Sequence, residues 1–164
     1  MREWVRSGDL VVLEPALQAT ATVRHVIATR EVYEELCGEW DDIECEIRYA
    51  RARAVVDAFI GGLRLAARHP PSTSAKAQIA LLNPPEEQVW AFRSREPKPG
   101  VRVFGCFAEI DVFVALNTEL KENIDADYVR EKEKCKRAWR QFFPTYTPLK
   151  GTSLADYLTA FHAV

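Results

Sequence analysis

The spacing of apolar residues predicts helices in the first half of the chain. Between Arg30 and Arg68, apolar residues recur every three or four positions, which is the period of an amphipathic helix. Gly38 breaks this stripe, so we expect a short helix followed by a long one. Gly61 and Gly62 interrupt the long helix and indicate a kink or the close approach of another element.

Three short β-type runs follow within the segment 89–116. They read VWAFRS, VRVFGCFA and DVFVAL and are rich in β-branched and aromatic residues. The segment 10–13 is a further strand candidate, whereas 23–29 fits a strand or a helix. The middle of the chain is therefore expected to form antiparallel hairpins.

Two more helices are predicted in the last third of the chain. Asp125 or Asp127 can cap a helix that reaches Phe143. The segment 153–156 resembles a capping box, and it predicts a short last helix that runs to Ala163.

Together these elements predict an α+β fold in a single domain that spans 1–164. The sheet would be small and antiparallel, with three central strands and room for a fourth, N-terminal one. An N-terminal helix pair and the C-terminal helices would pack against it. A chain of 164 residues that is 48% hydrophobic is long enough to bury such a core without disulfides or a metal.

Two arginines, Arg93 and Arg102, lie inside otherwise apolar strands. Pairing them across the first hairpin collects five apolar side chains on one face: Trp90, Phe92, Val101, Val103 and Phe107. A second hairpin that turns at 109–110 would place Asn117 opposite Arg102. The three polar side chains would then form a row on the other face, roughly 5 Å apart from strand to strand.

Two lysines are expected at the same end of the sheet. Lys98 lies in the loop between the first two strands, and Lys121 follows the third. Four converging cations would favour a phosphate site. The alternative, which the sequence leaves open, is that the arginines form ion pairs at the sheet edge with Glu96, Glu119 or Glu122.

Charge is unevenly distributed along the chain. The net charge of −2 excludes a globally basic nucleic-acid binder. The segment 134–150 nevertheless carries five cations and no acid, and 31–46 carries eight acids and no cation. Such runs are typical of solvated helix faces and also of partner surfaces. Trp139 lies between Arg137 and Arg140, and aromatic residues among cations suit RNA binding.

Cysteine, histidine and the N-terminus each exclude a class of function. The four cysteines show no C-x-x-C pair and are interpreted as structural thiols. The three histidines lack metal-ligand spacing, so no metal or other cofactor is expected. The N-terminus carries charges where a signal peptide needs an apolar stretch, and no window approaches the ~20 apolar residues of a membrane span. A cytoplasmic protein without membrane contact is expected.

The order of elements in the chain resembles the RelE/ParE toxin superfamily, in particular its phage-associated HigB-like branch. This order is the helix pair, then the runs VWAFRS, PGVRVFGCFAE and DVFVALN, then a lysine and a basic helix. The resemblance covers about 47–140, which leaves N- and C-terminal extensions. It implies an endoribonuclease, ribosome-associated or free, or a gyrase poison in the ParE branch. Members are neutralised by an antitoxin protein. Gly105 departs from the family pattern, which has an aromatic residue there.

The resemblance also implies roles for individual residues. Arg102 matches the sheet arginine that contacts the scissile phosphate, Arg93 the arginine of the preceding strand, and Lys121 the lysine after the third strand. RNA cleavage of this kind needs no metal, because the 2′-hydroxyl attacks the phosphate; Tyr146 or His162 would transfer protons. The remaining residues expected to bind RNA are polar or cationic: Lys98, Asn117, Arg137 and Arg140.

A second hypothesis belongs to a different class of function. The chain could be a non-catalytic phage or accessory protein that binds RNA through the basic helix, or a protein partner through the acidic segment 31–46. Pure RNA binding would show a strong salt dependence without cleavage.

Overall fold

The computed structural model describes residues 8–17 and 21–164. Three α-helices are present in this part of the chain: α1 at Arg30–Cys37, α2 at Ile43–Ile60 and α3 at Val129–Phe142. Eight strands accompany them: β1 at Leu10–Val12, β2 at His25–Thr29, β3 at Leu65–Arg68, β4 at Ile79–Leu81, β5 at Trp90–Arg93, β6 at Val101–Glu109, β7 at Val112–Leu120 and β8 at Phe161–Ala163.

All eight strands belong to one mixed sheet, in the order β1-β2-β7-β6-β5-β4-β3-β8. Strand β2 runs parallel to β7, and β3 runs parallel to both β4 and β8. The predicted fold, a small antiparallel sheet with helix pairs, is therefore wrong. The sequence pattern did not predict the extra strands because they are short. In addition, a strand that is buried on both faces, such as β2, shows no apolar–polar alternation.

The helices cover both faces of the sheet. Along β5, Trp90 and Phe92 join the core beneath α1 and α2, whereas Ala91 joins the core beneath α3. This alternation places the next residue, Arg93, on the α3 side. Two apolar cores therefore lie on either side of the sheet, and the arginines of β5 and β6 extend the α3 side at one end.

Two predicted helical segments are strands instead. Helix α2 ends at Ile60, and Gly62 follows with φ of +80°, a conformation that favours glycine. Beyond it, Leu65 and Ala67 are buried at alternate positions of β3. The predicted last helix is only a short 3₁₀ turn at Leu154–Asp156, and the chain then pairs with β3 as β8. The break between α1 and α2 at Gly38 is as predicted.

The predicted register is correct for one of the two central hairpins and wrong for the other. Arg93 pairs with Arg102 across β5 and β6, as predicted. The turn between β6 and β7 lies one residue later than predicted, because Asp111 adopts a φ of +59° there. The later turn offsets the predicted pairs by two residues, and two register irregularities within the hairpin cancel each other. Arg102 therefore lies opposite Glu119, and Asn117 lies opposite Phe104. The predicted pairing of Arg102 with Asn117 is wrong.

None of the helices within 8–17 and 21–164 is long and apolar enough to cross a membrane.

Candidate anion-binding cleft

An open cleft of about 790 Å³ lies at the end of the sheet where β5 stops and β6 begins. Arg93 ends β5, Arg102 is the second residue of β6, and Lys121 follows β7 directly. The five cations around the cleft outnumber its two acids. The cations are Arg93, Arg95, Lys98, Arg102 and Lys121, and the acids are Glu96 and Glu122.

The loop between β5 and β6 closes tightly and so holds its cations near the arginines. The Ser94 N–H donates to the Val101 carbonyl at 3.1 Å, and the Val101 N–H donates to the Ser94 hydroxyl oxygen at 2.9 Å. A Cβ at Gly100 would lie 2.1 Å from the Ser94 carbonyl oxygen, so only glycine fits. The Gly100 carbonyl also accepts the Lys121 N–H at 2.8 Å, which fixes the end of β7 to the rim.

Arg102 is almost completely buried, with 6% of its surface exposed. Its Nη1 donates to the carbonyl oxygens of Ser94 at 2.7 Å and Val101 at 3.2 Å. Its Nε is buried and has no hydrogen-bond partner among the residues that the structure describes. Burial lowers the pKa of Arg102, and its interaction with the Tyr128 hydroxyl offsets part of that change.

Arg93 lies directly opposite Arg102 and is half-buried. Burial lowers its pKa to about 10, and the charge of Arg102 contributes in the same direction. Arg93 therefore remains protonated at neutral pH. Its Nη1 is buried and has no hydrogen-bond partner within the described part of the chain.

The ion pairs that offered an alternative role for the arginines do not form. Glu119, opposite Arg102, is directed instead to Arg130 at 3.8 Å and accepts a hydrogen bond from Asn123. Among the residues that the structure describes, no carboxylate makes an ion pair with either arginine. A buried charge without a counter-charge is unfavourable, so an anion in the cleft would stabilise both guanidinium groups.

A second group of cations adjoins the cleft on the side of α2. A neighbouring cleft of about 460 Å³ shares Arg93, Arg95 and Glu96 with the first, and adds Arg51 and Lys76. Because the two clefts share a wall, the cations form a continuous track rather than a single point. We refer to the two clefts together as the cationic track.

Tyr128 borders the cleft and was missed by sequence reasoning. It precedes α3 with φ of +58°, and Lys121 Nζ lies 4.9 Å from its ring centroid. The sequence predicts a helix capped by Asp125 or Asp127, and nothing in that pattern marks the turn that brings Tyr128 to Arg102. Arg95 sits within the predicted strand-and-loop segment and could have been recognised by its position two residues after Arg93.

The structure does not bring the other predicted residues to the cleft. Asn117 faces α3, where its Nδ2 donates to the Glu131 carbonyl at 3.4 Å. Tyr146 is exposed beyond α3, and its carbonyl accepts the Trp139 Nε1–H at 2.7 Å. His162 is exposed on the edge strand β8. Arg137 and Arg140 are both exposed on α3. Arg137 lies in the middle of the helix, and Arg140 lies beside a different cleft.

No family model matches the chain, and no curated protein or solved structure is significantly similar to it. The RelE/ParE resemblance therefore stays a prediction that rests on the short strand motifs alone. Within the described residues, no three His, Cys, Asp or Glu side chains form a group that could hold a metal ion. The cleft itself is thus the strongest guide to function.

Proposed function

We propose that the protein binds RNA through phosphate groups in the cationic track, without cleaving it. The observation that carries the proposal is the pair Arg93 and Arg102, two adjacent guanidinium groups with no carboxylate partner among the described residues. Guanidinium groups bind phosphate oxygens through planar, paired hydrogen bonds. The Arg93 side chain makes no hydrogen bond or ion pair within the described part of the chain, so its guanidinium group is the donor that such an anion would use.

The extent of the cation surface favours a polymer over a small anion. A single phosphate would occupy the space between Arg93 and Arg102, yet cations continue to Arg51 and Lys76 on one side and Lys121 on the other. A strand with a phosphate at each nucleotide would contact several of them at once. Local positive charge of this kind supports binding to polyanions even though the whole chain carries −2.

The arrangement gives less support to cleavage. Strand cleavage needs a base and an acid within reach of the phosphate. Tyr146 and His162, the predicted proton-transfer residues, lie elsewhere, and the carboxylates that line the cleft, Glu96 and Glu122, are exposed at its rim. The non-catalytic hypothesis is therefore the better supported of the two. An antitoxin partner stays a prediction from the resemblance.

The test is fluorescence anisotropy with a labelled single-stranded oligoribonucleotide. The double variant Arg93→Gln/Lys121→Gln should bind at least tenfold more weakly than the wild type, because it removes two phosphate contacts. The matched control Arg64→Gln/Lys150→Gln loses the same charge at exposed positions that do not line the track, and it should keep wild-type affinity.

Three results would contradict the proposal. They are equal affinity of the two double variants, no measurable binding by the wild type, and RNA fragments on a denaturing gel after incubation with the wild type. Fragments that disappear with Arg93→Gln/Lys121→Gln would establish the endoribonuclease hypothesis instead. Thermal unfolding of each variant shows that the comparison is made between folded proteins.

A further inference from the structure

A separate cleft of about 670 Å³ lies beside the cationic track. Its volume falls within the roughly 300–1,000 Å³ typical of small-molecule clefts. Pro84 and Pro85 provide apolar walls, and the polar groups include Arg68, Asn83 and two carboxylates, Glu86 and Asp127. We call it the proline cleft. The function proposed above does not use it.

Tyr128 separates the proline cleft from the track. Its ring lines the proline cleft, while Lys121 of the track lies over the same ring and Arg102 of the track interacts with its hydroxyl. Arg68 of the proline cleft is close enough to Arg93 for its charge to act on that arginine. A molecule with an anionic group between the track arginines and a second group in the proline cleft would therefore pass Tyr128.

The groups that line the proline cleft suit a flat ring with polar edges. Arg68 donates from Nη1 to the Ser74 carbonyl at 3.1 Å. Within the described residues, its buried Nε has no hydrogen-bond partner and its guanidinium group makes no ion pair. Unpaired nucleobases stack on aromatic rings and on arginine planes, which Tyr128 and Arg68 offer here.

Two exposed side chains at the mouth of this cleft have free hydrogen-bonding groups. Asn83 and Asp127 make no side-chain hydrogen bond or ion pair within the described residues. An amide and a carboxylate can pair with the donors and acceptors along the edge of a base. Lys132, in contrast, is already engaged with the Asn83 carbonyl at 2.6 Å and with Glu87 at 3.6 Å.

We propose that the proline cleft is a nucleobase-binding site for the nucleotide whose phosphate lies between Arg93 and Arg102. This inference rests on the proposed function and extends it. A base can enter the cleft only when it is unpaired and unstacked, so the RNA is bound as a single strand rather than as a duplex. The track then supplies the affinity for phosphate, and the proline cleft distinguishes a base-bearing strand from a bare sugar–phosphate chain.

The test compares two labelled strands of equal length by fluorescence anisotropy: an oligoribonucleotide and an abasic ribose–phosphate strand. The wild type should bind the base-bearing strand about tenfold more tightly or better, because stacking of a base on a protein ring contributes that much. The variant Asn83→Ala/Asp127→Ala should reduce this ratio towards one. The ratio is the readout because the charge lost at Asp127 affects both strands equally.

The matched control is Asp41→Ala/Gln141→Ala, which removes one carboxylate and one amide at exposed positions away from the proline cleft and should leave the ratio unchanged. A single-stranded DNA with the same base dependence would support the base site and widen the ligand to both nucleic acids.

Equal binding of the two strands by the wild type, with Arg93→Gln/Lys121→Gln weakening both, would overturn the base site and leave the proposed function intact. Duplex RNA bound as tightly as the single strand would also overturn it. Binding of neither strand would defeat the proposed function, and the base site with it.

Discussion

Arg93 and Arg102 lie directly opposite each other on antiparallel strands, and neither forms an ion pair with a described residue. Like charges at directly opposed positions of a sheet are destabilising. Burial adds to the cost in stability because it removes water from both charged groups, and it lowers the pKa of both arginines for the same reason. The arginine pair therefore lowers the stability of the free protein, and a bound anion would restore that stability.

The first prediction concerns the stability of the free protein. Replacing Arg93 with methionine keeps an unbranched side chain of similar length and removes the repulsion of Arg102. The variant Arg93→Met should raise the free energy of unfolding by about 0.5–1 kcal/mol, measured by urea denaturation in phosphate-free buffer. Arg64→Met is the control, since the Arg64 side chain is exposed and lines neither cleft, and it should change stability by less than about 0.5 kcal/mol.

A loss of stability in Arg93→Met would show that the arginine is satisfied in the free protein. We expect an RNA oligonucleotide to reverse the order of stability of the wild type and Arg93→Met. The wild type should gain thermal stability with ligand, and Arg93→Met should gain less.

The second prediction is the salt dependence of RNA binding. Each phosphate contact with a single strand contributes about 0.7 to the slope of log K against log salt concentration. Removing one cation of the cleft with Lys98→Gln should therefore lower the slope by about 0.7, as should Lys121→Gln. Anisotropy titrations at several salt concentrations measure it. An unchanged slope in both variants would mean that these lysines do not contact phosphate, whereas Lys150→Gln should leave the slope as it is.

The local part of the site could be predicted from the sequence, because its residues are close along the chain. Arg93, Lys98, Arg102 and Lys121 lie within one pair of hairpins, and binary patterning aligned the first hairpin correctly. The predicted register of the second hairpin is wrong, since a turn with an aspartate at positive φ leaves no clear mark on the pattern.

The distant parts of the fold and site could not be predicted from the sequence for a different reason. Strand β8 pairs with β3 over nearly one hundred residues of chain, and a three-residue strand carries too little pattern to show its partner. Arg68 and Tyr128 meet at the cleft only because β3 enters the sheet beside β4 and because α3 begins where it does. These contacts depend on topology, which local periodicity does not encode.

The third prediction tests the buried arginine at the opposite end of the sheet. Arg24 is 1% exposed, pairs with Asp111 at 3.2 Å, and lies over the Phe59 ring. Asp111→Asn keeps a residue that tolerates positive φ and removes the counter-charge. The free energy of unfolding should fall by about 2–3 kcal/mol in urea denaturation. Asp41→Asn, at an exposed position, should be near neutral. A change below about 0.5 kcal/mol in Asp111→Asn would show that the Leu63 and Ala160 carbonyls alone satisfy Arg24.

The fourth prediction is a pH dependence set by Glu35. Burial raises the pKa of this carboxyl, although Thr118 donates a hydrogen bond to it at 2.5 Å. The folded protein therefore keeps this proton over a pH range in which the unfolded chain has lost it. In that range the unfolded state binds fewer protons, so the contribution of Glu35 to stability falls as the pH rises above about 4.5.

Glu35→Gln keeps an oxygen that can accept the Thr118 hydrogen bond and removes the ionisation. The variant should be more stable than the wild type at pH 7, and the difference should shrink at pH 4, where the wild-type carboxyl is largely protonated in both states. Urea denaturation of the two proteins at both pH values measures the difference. Glu34→Gln, at an exposed position of the same helix, reports the effect of removing one charge alone. A difference that grows from pH 7 to pH 4 would show that the folded protein favours the ionised form of Glu35.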